Sequence, residues 1–240
     1  MITALNERRR LLLTGSGLLL GLAGTRPAFA APEVPKPGGE KEVGAVEDLM
    51  REHGVLRRAL LVYIDCVPKL RASPTALPTT PLAQAAKLFR DFGEDYHERK
   101  LEEAYIFPAL KKAGGPAANY VDVLKAQHER GREITDYILG IVSKGTIGGG
   151  EAEPLARAFA SFVLMYQNHT AREDTIVFPA WKAVLSATEL DAMGDKFEQI
   201  ERQTFGKDGF DDAVTQIGNI EQALGFADLA QFTAPPPPKS

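Results

Sequence analysis

Residues 169–179, HTAREDTIVFP, lie in a long segment without glycine or proline until the closing Pro179. Apolar residues recur along this segment at steps of three and four, which is the spacing of one helix face. That face consists of Leu155, Phe159, Phe162, Tyr166, His169, Glu173, Ile176 and Ala180. A buried helix face is normally apolar throughout, yet this one carries an imidazole and a carboxylate one turn apart. Burying a polar group without a partner costs roughly 2–7 kcal/mol, and a charge costs more, so something must satisfy His169 and Glu173.

An earlier segment, residues 97–108 (HERKLEEAYIFP), repeats this pattern. When the two FPA triplets are aligned, Glu102 falls over Glu173. His97 then lies one residue further from its glutamate than His169 does from Glu173. The two segments indicate an internal repeat and a two-fold arrangement of two helices. Because proline costs about 3 kcal/mol inside a helix, each helix is expected to kink or restart at its FP pair.

The whole chain has helical periodicity, and no stretch alternates with period two. Proline-rich and glycine-rich breaks, beginning with Pro68, separate the helices. The predicted helices span 43–67, 82–112, 118–143 and 154–185, followed by 189–202 and a weaker one at 211–224. The predicted fold class is all-α, an antiparallel up-down-up-down four-helix bundle with extra C-terminal helices.

The chain contains four histidines, and each of the first four predicted helices carries one on its apolar face. They are His53, His97, His128 and His169. A single core histidine would indicate little, but one on each of four helices indicates a shared role. With Glu102 and Glu173 they supply the nitrogen and oxygen ligands that suit iron, manganese or zinc. Two-metal sites occur at the centre of helix bundles, and two divalent cations would offset carboxylates whose one obvious cationic partner is Arg132.

These residues resemble the hemerythrin-like (HHE cation-binding) domain over roughly residues 43–185. The resemblance rests on an ordered set: His53, His97 with Glu102 and IFP, the helical His128, and His169 with Glu173 and VFP. It implies an up-down-up-down four-helix bundle around a non-haem di-iron centre bridged by two carboxylates and an oxygen species. By this resemblance the four histidines would be terminal ligands, and Glu102 and Glu173 would be the bridges.

Two features depart from the family's oxygen carriers. Those proteins have a second histidine on the third helix, four residues after the first, where this chain has Arg132; the neighbouring Glu133 is a candidate substitute. The second departure is Glu102, which lies five residues after His97, and five steps of 100° do not return to the same helix face. Either a π-bulge absorbs the extra residue, or Glu98 contributes the ligand.

A ferritin-like site is an alternative for the same helices. Glu94 and His97 form the Glu-x-x-His motif of that class. The class requires a second such motif, and neither His128 nor His169 has a glutamate at that distance. Glu103, next to Glu102, is expected on a solvated face.

The first 30 residues predict an export signal. Three arginines at 8–10 precede an apolar stretch over 11–24, and the AFA at 28–30 is a small-x-small cleavage pattern. The arginines resemble those of a twin-arginine leader, and the apolar stretch is short for a membrane span of about 20 residues. The expected organisation is a signal peptide at 1–30, a linker at 31–44, the four-helix domain at 45–185, a helical extension at 186–232 and a proline-rich tail at 233–240. The mature protein is expected to be periplasmic and free of the membrane.

The leading hypothesis is an exported protein with two non-haem iron ions that bind dioxygen or nitric oxide, a metal- and gas-binding protein rather than a dedicated enzyme. One alternative is a di-iron redox enzyme that oxidises iron or reduces peroxide or nitric oxide. Another is a structural bundle in which four histidines hold one zinc, and manganese is a further option. The net charge of −4 gives no footprint for nucleic acid. The single Cys66 rules out an intrachain disulfide, and self-association is left open.

Overall fold

The structure, a computed structural model, describes residues 43–238 and contains six long helices and three short 3₁₀ helices in that range. Helix α2 spans 79–113 and α4 spans 149–183, and each has a π-helical segment between two α-helical ones. The bounds are α1, Ala45–Ala72; α2, Thr79–Leu88, Phe89–Ile106 and Phe107–Ala113; α3, Val121–Val142; α4, Gly149–Arg172, Glu173–Val177 and Phe178–Ala183; α5, Ala187–Phe205; and α6, Gly209–Leu224. Between 43 and 238 there is no strand, which confirms the all-α prediction.

Each of the first four helices packs against at least two others of the four. Helix α1 contacts α4 and α2, and α3 contacts the same two helices. Helices α5 and α6 lie against α1 and α2. Aromatic side chains fill much of the core between them; for example, Tyr63 of α1 stacks on Phe159 of α4, with ring centroids 4.6 Å apart. This packing places one histidine-bearing face of each of the first four helices toward the others.

The π-helical segment of α2 resolves the spacing between His97 and Glu102. A π-helix forms hydrogen bonds from residue i to i+5, so residues five apart return to the same face. The segment covers Phe89–Ile106, far longer than a single-turn bulge, and includes both residues. In α2 and in α4 alike, the π segment ends at the FP pair, and the proline occupies one of the first positions of the α-helical segment that follows. A missing N–H is least costly there, so both helices restart rather than end.

The predicted end of the first helix was wrong. Helix α1 continues through Pro68 and ends at Ala72. Leu70, in that last turn, is fully buried, and its packing offsets the backbone hydrogen bond that Pro68 removes. The break comes at Ser73, whose backbone (φ −158°, ψ 70°) has left the helical region, as proline at the next position, Pro74, favours.

The predicted signal peptide lies outside the described residues, as does the predicted linker up to residue 42. Residues 233–238 of the predicted tail are exposed and have no regular structure. Among the helices that the structure describes, none has the length and apolar character to cross a membrane.

Candidate metal centre

The four histidines meet at the centre of α1–α4 as two pairs. The Nε2 atoms of His53 and His97 are 3.0 Å apart, and those of His128 and His169 are 3.2 Å apart. All four side chains are buried. Each residue comes from a different helix, so the fold gathers residues that are up to 116 positions apart in the sequence (53 to 169).

Glu102 lies between the two histidine pairs. Its Oε1 is 3.4 Å from Nε2 of His97, and its Oε2 is 3.3 Å from Nε2 of His128. The carboxylate therefore presents one oxygen to each pair. This orientation depends on the π-helical register of α2, which turns Glu102 to the same face as His97.

Glu173 spans the pairs from the opposite helix. Its Oε2 is 3.0 Å from Nε2 of His169, one turn earlier on α4, and 3.5 Å from Nε2 of His53 on α1. Among these six residues two overlapping groups of converging ligand atoms result: Glu102, His128, His169 and Glu173 form one, and His53, His97 and Glu102 form the other. A third group, of Glu98, Glu103 and His128, lies on the outer side of His128.

The donor set fits two metal cations. Within residues 43–238, none of the four carboxylate oxygens of Glu102 and Glu173 accepts a hydrogen bond, although both side chains are fully buried. Leaving buried carboxylates without partners costs several kcal/mol each. Cations bound by imidazole nitrogens and shared carboxylates would satisfy all four oxygens, and this mixture of ligands suits iron, manganese or zinc.

The charge balance of the cluster also favours bound cations. Burial, together with the charge of Glu102, raises the pKa of Glu173 well above its usual value. Burial acts in the same direction on Glu102, but His97 and His128 outweigh it and hold the pKa of Glu102 well below its usual value. Burial and the neighbouring His128 lower the pKa of His169 to about 3. His169 is therefore a neutral imidazole with a lone pair, as a metal ligand must be.

Every histidine of the cluster uses its other ring nitrogen, Nδ1, to contact an oxygen acceptor. The Nδ1 contacts are His53 to Asp174 at 2.7 Å, His97 to Glu52 at 2.6 Å, His128 to Glu103 at 2.9 Å and His169 to the Oε1 of Gln127 at 2.9 Å. Ionised carboxylates and amide oxygens can only accept, so the hydrogen lies on Nδ1. The four Nε2 atoms consequently face the cluster, where each would offer its lone pair to a bound metal, and the rings are held in the orientation that metal binding requires.

These four acceptors follow a simple sequence rule. Each is the direct chain neighbour of a cluster residue and serves a histidine on another helix. The adjacent pairs are Glu52 with His53, Glu103 with Glu102, Gln127 with His128, and Asp174 with Glu173. The expectation that Glu103 lies on a solvated face was wrong, because it is partly buried and accepts hydrogen bonds from His128 and Arg132. A carboxylate or amide beside each candidate ligand was the available sequence signal.

Asp174→Ala is expected to weaken metal binding by about 10–100-fold, the usual effect of losing such an acceptor. The substitution leaves Nδ1 of His53 without its partner, so the ring is free to turn. The check is competition for the bound metal by a chelator of known affinity. Asp95→Ala removes a partly exposed aspartate that pairs with Arg99 one helix turn away, and it should leave metal affinity unchanged. Equal affinities of the two variants would contradict the role of Asp174.

Glu98 and Arg132 lie beside the cluster rather than facing its centre. Glu98 is buried, accepts a hydrogen bond from the Tyr166 hydroxyl at 2.7 Å and contacts Arg132 Nη2 at 3.3 Å. Its nearest approach to His128 is to Nδ1, at 3.9 Å. The Arg132 guanidinium also donates to Glu103 at 2.5 Å. Arg132 therefore balances the charge of this outer layer.

The structure does not bring every candidate to the cluster. Glu133 is exposed and pairs with Arg130 at 3.1 Å. Glu94 of the ferritin-like motif is buried but accepts a hydrogen bond from Thr135 at 2.5 Å and pairs with Arg90 at 2.8 Å. It does not belong to the converging groups.

The family comparison agrees with this geometry. The chain matches the hemerythrin HHE cation-binding domain over residues 44–181, more than half of its length. The chain belongs to the hemerythrin family. Three relatives, one from Mycobacterium bovis and two from strains of Mycobacterium tuberculosis, are uncharacterised proteins. Each is 40% identical over 233 residues, which cover 94% of this hemerythrin-family chain and 90% of the relative. No solved structure matches the chain.

Proposed function

We propose that this hemerythrin-family protein holds two non-haem iron ions and binds dioxygen or nitric oxide at them. The observation that carries the proposal is the placement of two buried carboxylates that accept no hydrogen bond from residues 43–238, Glu102 and Glu173. Each of them faces one histidine from each of the two pairs. The ligands would be His53, His97, Glu102, His128, His169 and Glu173. When bound, ferrous iron would supply a coordination position open to a diatomic ligand.

The surrounding residues suit a site that must keep water away. Phe107 stacks on the ring of His128 with centroids 5.5 Å apart, and Phe178 stacks on His53 at 5.3 Å. These are the phenylalanines of the two FP pairs, so the repeated motif supplies an apolar cover on both sides. Exclusion of water strengthens electrostatic contacts inside the site and protects bound species from side reactions. Such walls support the binding of a small, uncharged gas.

The architecture and location belong to the same proposal. We infer that α1–α4 run up-down-up-down as an antiparallel four-helix bundle, which is supported by the packing of each helix on two neighbours. The arginine-containing leader supports export of a folded, metal-loaded protein to the periplasm.

A redox enzyme is the second candidate function. The observation in its favour is the buried network of Glu98, Tyr166 and Arg132 beside the cluster. Arg132 stands where the family's oxygen carriers have a fifth histidine, so the site is richer in carboxylate. Carboxylates favour ferric iron, which would suit oxidation of ferrous iron or reduction of peroxide or nitric oxide.

Metal analysis and optical spectroscopy of the purified mature protein test the proposal. We expect two irons per chain and near-ultraviolet absorption that appears when oxygen is added to the reduced, anaerobic protein. A form that releases its gas under vacuum would indicate carriage, whereas direct conversion to a ferric product would indicate the redox enzyme. One zinc per chain, or no metal and no spectral change, would refute the di-iron centre.

A further inference from the structure

We infer that the C-terminal helices α5 and α6 are a positioning element for His97: their corner presses Phe205 against Tyr96, whose hydroxyl helps hold Glu52 on Nδ1 of His97. Both helices follow residue 181, where the match to the family domain ends. The inference rests on the proposed function in treating His97 as a metal ligand. It assigns a role to a segment outside the metal-binding domain.

The contacts form a continuous chain from α5 to the cluster. The rings of Phe205 and Tyr96 meet edge to face with centroids 5.2 Å apart. The Tyr96 hydroxyl donates to Oε1 of Glu52 at 3.1 Å, and Nδ1 of His97 contacts Oε2 of the same carboxylate at 2.6 Å. Movement of the Phe205 ring would thus be transmitted to His97 through two side chains.

The corner between the two helices fixes the Phe205 ring. Helix α5 ends at Phe205, and the following Gly206, with a φ of 70°, turns the chain sharply. The backbone at Gly209, where α6 begins, lies directly on the ring: a Cβ there would be 2.3 Å from Cδ2 and 2.8 Å from Cε2 of Phe205. The N–H of Phe210 donates to Glu201 at 2.7 Å and ties α6 back to α5. The ring is therefore held between Gly209 on one side and Tyr96 on the other.

Helix α6 is anchored to the helix that carries Glu52. Arg58 of α1 donates twice to Glu221 of α6, at 2.8 and 2.5 Å. Lys69 of α1 donates to the carbonyl oxygen of Leu224 at 3.1 Å and lies 3.9 Å from the centre of the Phe226 ring. Bidentate arginine–carboxylate pairs are geometrically specific. These contacts fix the position of the C-terminal extension on α1.

The extension covers the acceptor of His97 and not those of His53 and His128. Glu52 is 1% exposed, and Phe197 of α5 lines the same recess. By contrast, the side chains of Asp174 and Glu103 remain 17% and 20% exposed. Loss of the contact with the extension should therefore disturb His97 before the other histidines. A general loss of stability would affect all four alike.

The test compares two glycines of α6 in the full chain. Gly209→Ala places a methyl group in the Phe205 ring, whereas a Cβ at Gly218 meets its nearest atom, of Arg58, at an ordinary 3.7 Å. The measurement is the solvent-exchange rate of each histidine Nδ1–H in ¹⁵N-histidine-labelled protein, both metal-free and loaded with zinc as a diamagnetic probe. The His97 signal is identified by its absence in His97→Gln. Phe205→Ala and the conservative Phe205→Leu complete the series.

We expect Gly209→Ala and Phe205→Ala to speed exchange at His97 by about tenfold and to speed release of one of two irons to a chelator by about 10–100-fold. Gly218→Ala and Phe205→Leu should stay within about twofold of wild type. Unchanged exchange at His97 in folded Gly209→Ala, or equal acceleration at all four histidines, would overturn the inference. Absence of iron from the wild type would refute the proposed function instead, and the metal-free exchange rates would still decide whether α5 and α6 position His97. If Phe205→Ala does not fold, Gly209→Ala and Phe205→Leu decide.

Discussion

Glu173→Gln is expected to stabilise the metal-free protein while it destroys the metal centre. Glu173 is fully buried, and none of the residues 43–238 donates a hydrogen bond to its oxygens. Burial and the charge of Glu102 raise the pKa of Glu173 well above its usual value. Ionising this carboxylate therefore opposes folding unless cations are present. An amide of the same shape removes that charge and also removes one of the two proposed bridging ligands.

The expected gain for the metal-free protein is about 2–4 kcal/mol at neutral pH, within the range seen when buried charges are replaced. The sign follows from linkage. A carboxyl group whose pKa is raised on folding binds more protons in the folded state, so it destabilises the protein increasingly as pH rises above its unfolded pKa of about 4.3. The variant should hence gain little at about pH 4 and most above pH 7. Urea unfolding of chelator-treated protein at these pH values measures the difference.

With iron present, the wild type should be more stable than Glu173→Gln. The variant should bind at most one iron and lose most of the stabilisation that metal binding gives the wild type, because a ligand that binds only the folded state stabilises it by mass action. Glu133→Gln makes the same chemical change at an exposed residue and should match wild type in both states. A Glu173→Gln protein that binds two irons would disprove the bridging role. One that is less stable than wild type without metal would contradict the cost assigned to the buried carboxylate.

Much of this centre is predictable from sequence because its proposed ligands lie on apolar helix faces. A run without glycine or proline fixes the helix around His169, and helical spacing then places Glu173 one turn away. The same argument finds His53, His97 and His128 on their helices. The structure adds that their Nε2 atoms converge, which periodicity alone cannot specify because it does not set the rotation of one helix against another.

Local sequence spacing could not decide whether Glu98 or Glu102 faces the histidine cluster. The five-residue step from His97 to Glu102 shows that an ordinary α-helix cannot present both, but it does not show which solution the chain adopts. The π-helical register depends on backbone hydrogen bonds over several turns of α2. In that register Glu102 faces the cluster, and Glu98 faces Tyr166 and Arg132 instead.

The acceptors of the histidine Nδ1 atoms were harder to predict. Glu52 and Glu103 resemble ordinary charged positions in sequence, and each serves a histidine on another helix. Their roles depend on which helices are neighbours, and sequence periodicity does not report this. The contact between Phe205 and Tyr96 has the same character, since it joins residues 109 positions apart (96 to 205).

Gly131→Ala is expected to destabilise the protein by about 1–5 kcal/mol, the sum of an overpacking cost and a lost hydrogen bond, less the roughly 0.5–1 kcal/mol that alanine gains as the better helix former. A Cβ at Gly131 would lie 2.1 Å from the Tyr166 hydroxyl oxygen and 3.0 Å from Cζ. The ring has little room to retreat, because Phe89 and Phe162 pack on it with centroids 4.9 and 4.8 Å away. Overpacking a core costs about 1–3 kcal/mol, and a lost hydrogen bond to a buried charge costs a further 1–3 kcal/mol, roughly.

The hydrogen bond from the Tyr166 hydroxyl to Glu98 persists over a wide pH range. Burial, with the charges of Glu98 and Glu94, raises the pKa of Tyr166 well above its usual value. The hydroxyl therefore stays protonated and donates to Glu98 at 2.7 Å. Displacing the Tyr166 hydroxyl would remove this hydrogen bond and leave Glu98 with its contact to Arg132. The charged side chains around His128 would then be held less firmly.

Urea unfolding of a small set of variants separates the causes. Gly140→Ala is the matched control, because it lies on the same helix with nothing within 4 Å of its added Cβ, and it should stabilise by about 0.5–1 kcal/mol. Tyr166→Phe loses the hydrogen bond without a clash. In Gly131→Ala with Tyr166→Phe, the colliding oxygen is gone, so the double variant should be more stable than Gly131→Ala alone. If Gly131→Ala proved as benign as Gly140→Ala, the Tyr166 hydroxyl would not occupy the space that Gly131 leaves, and Glu98 would need another donor.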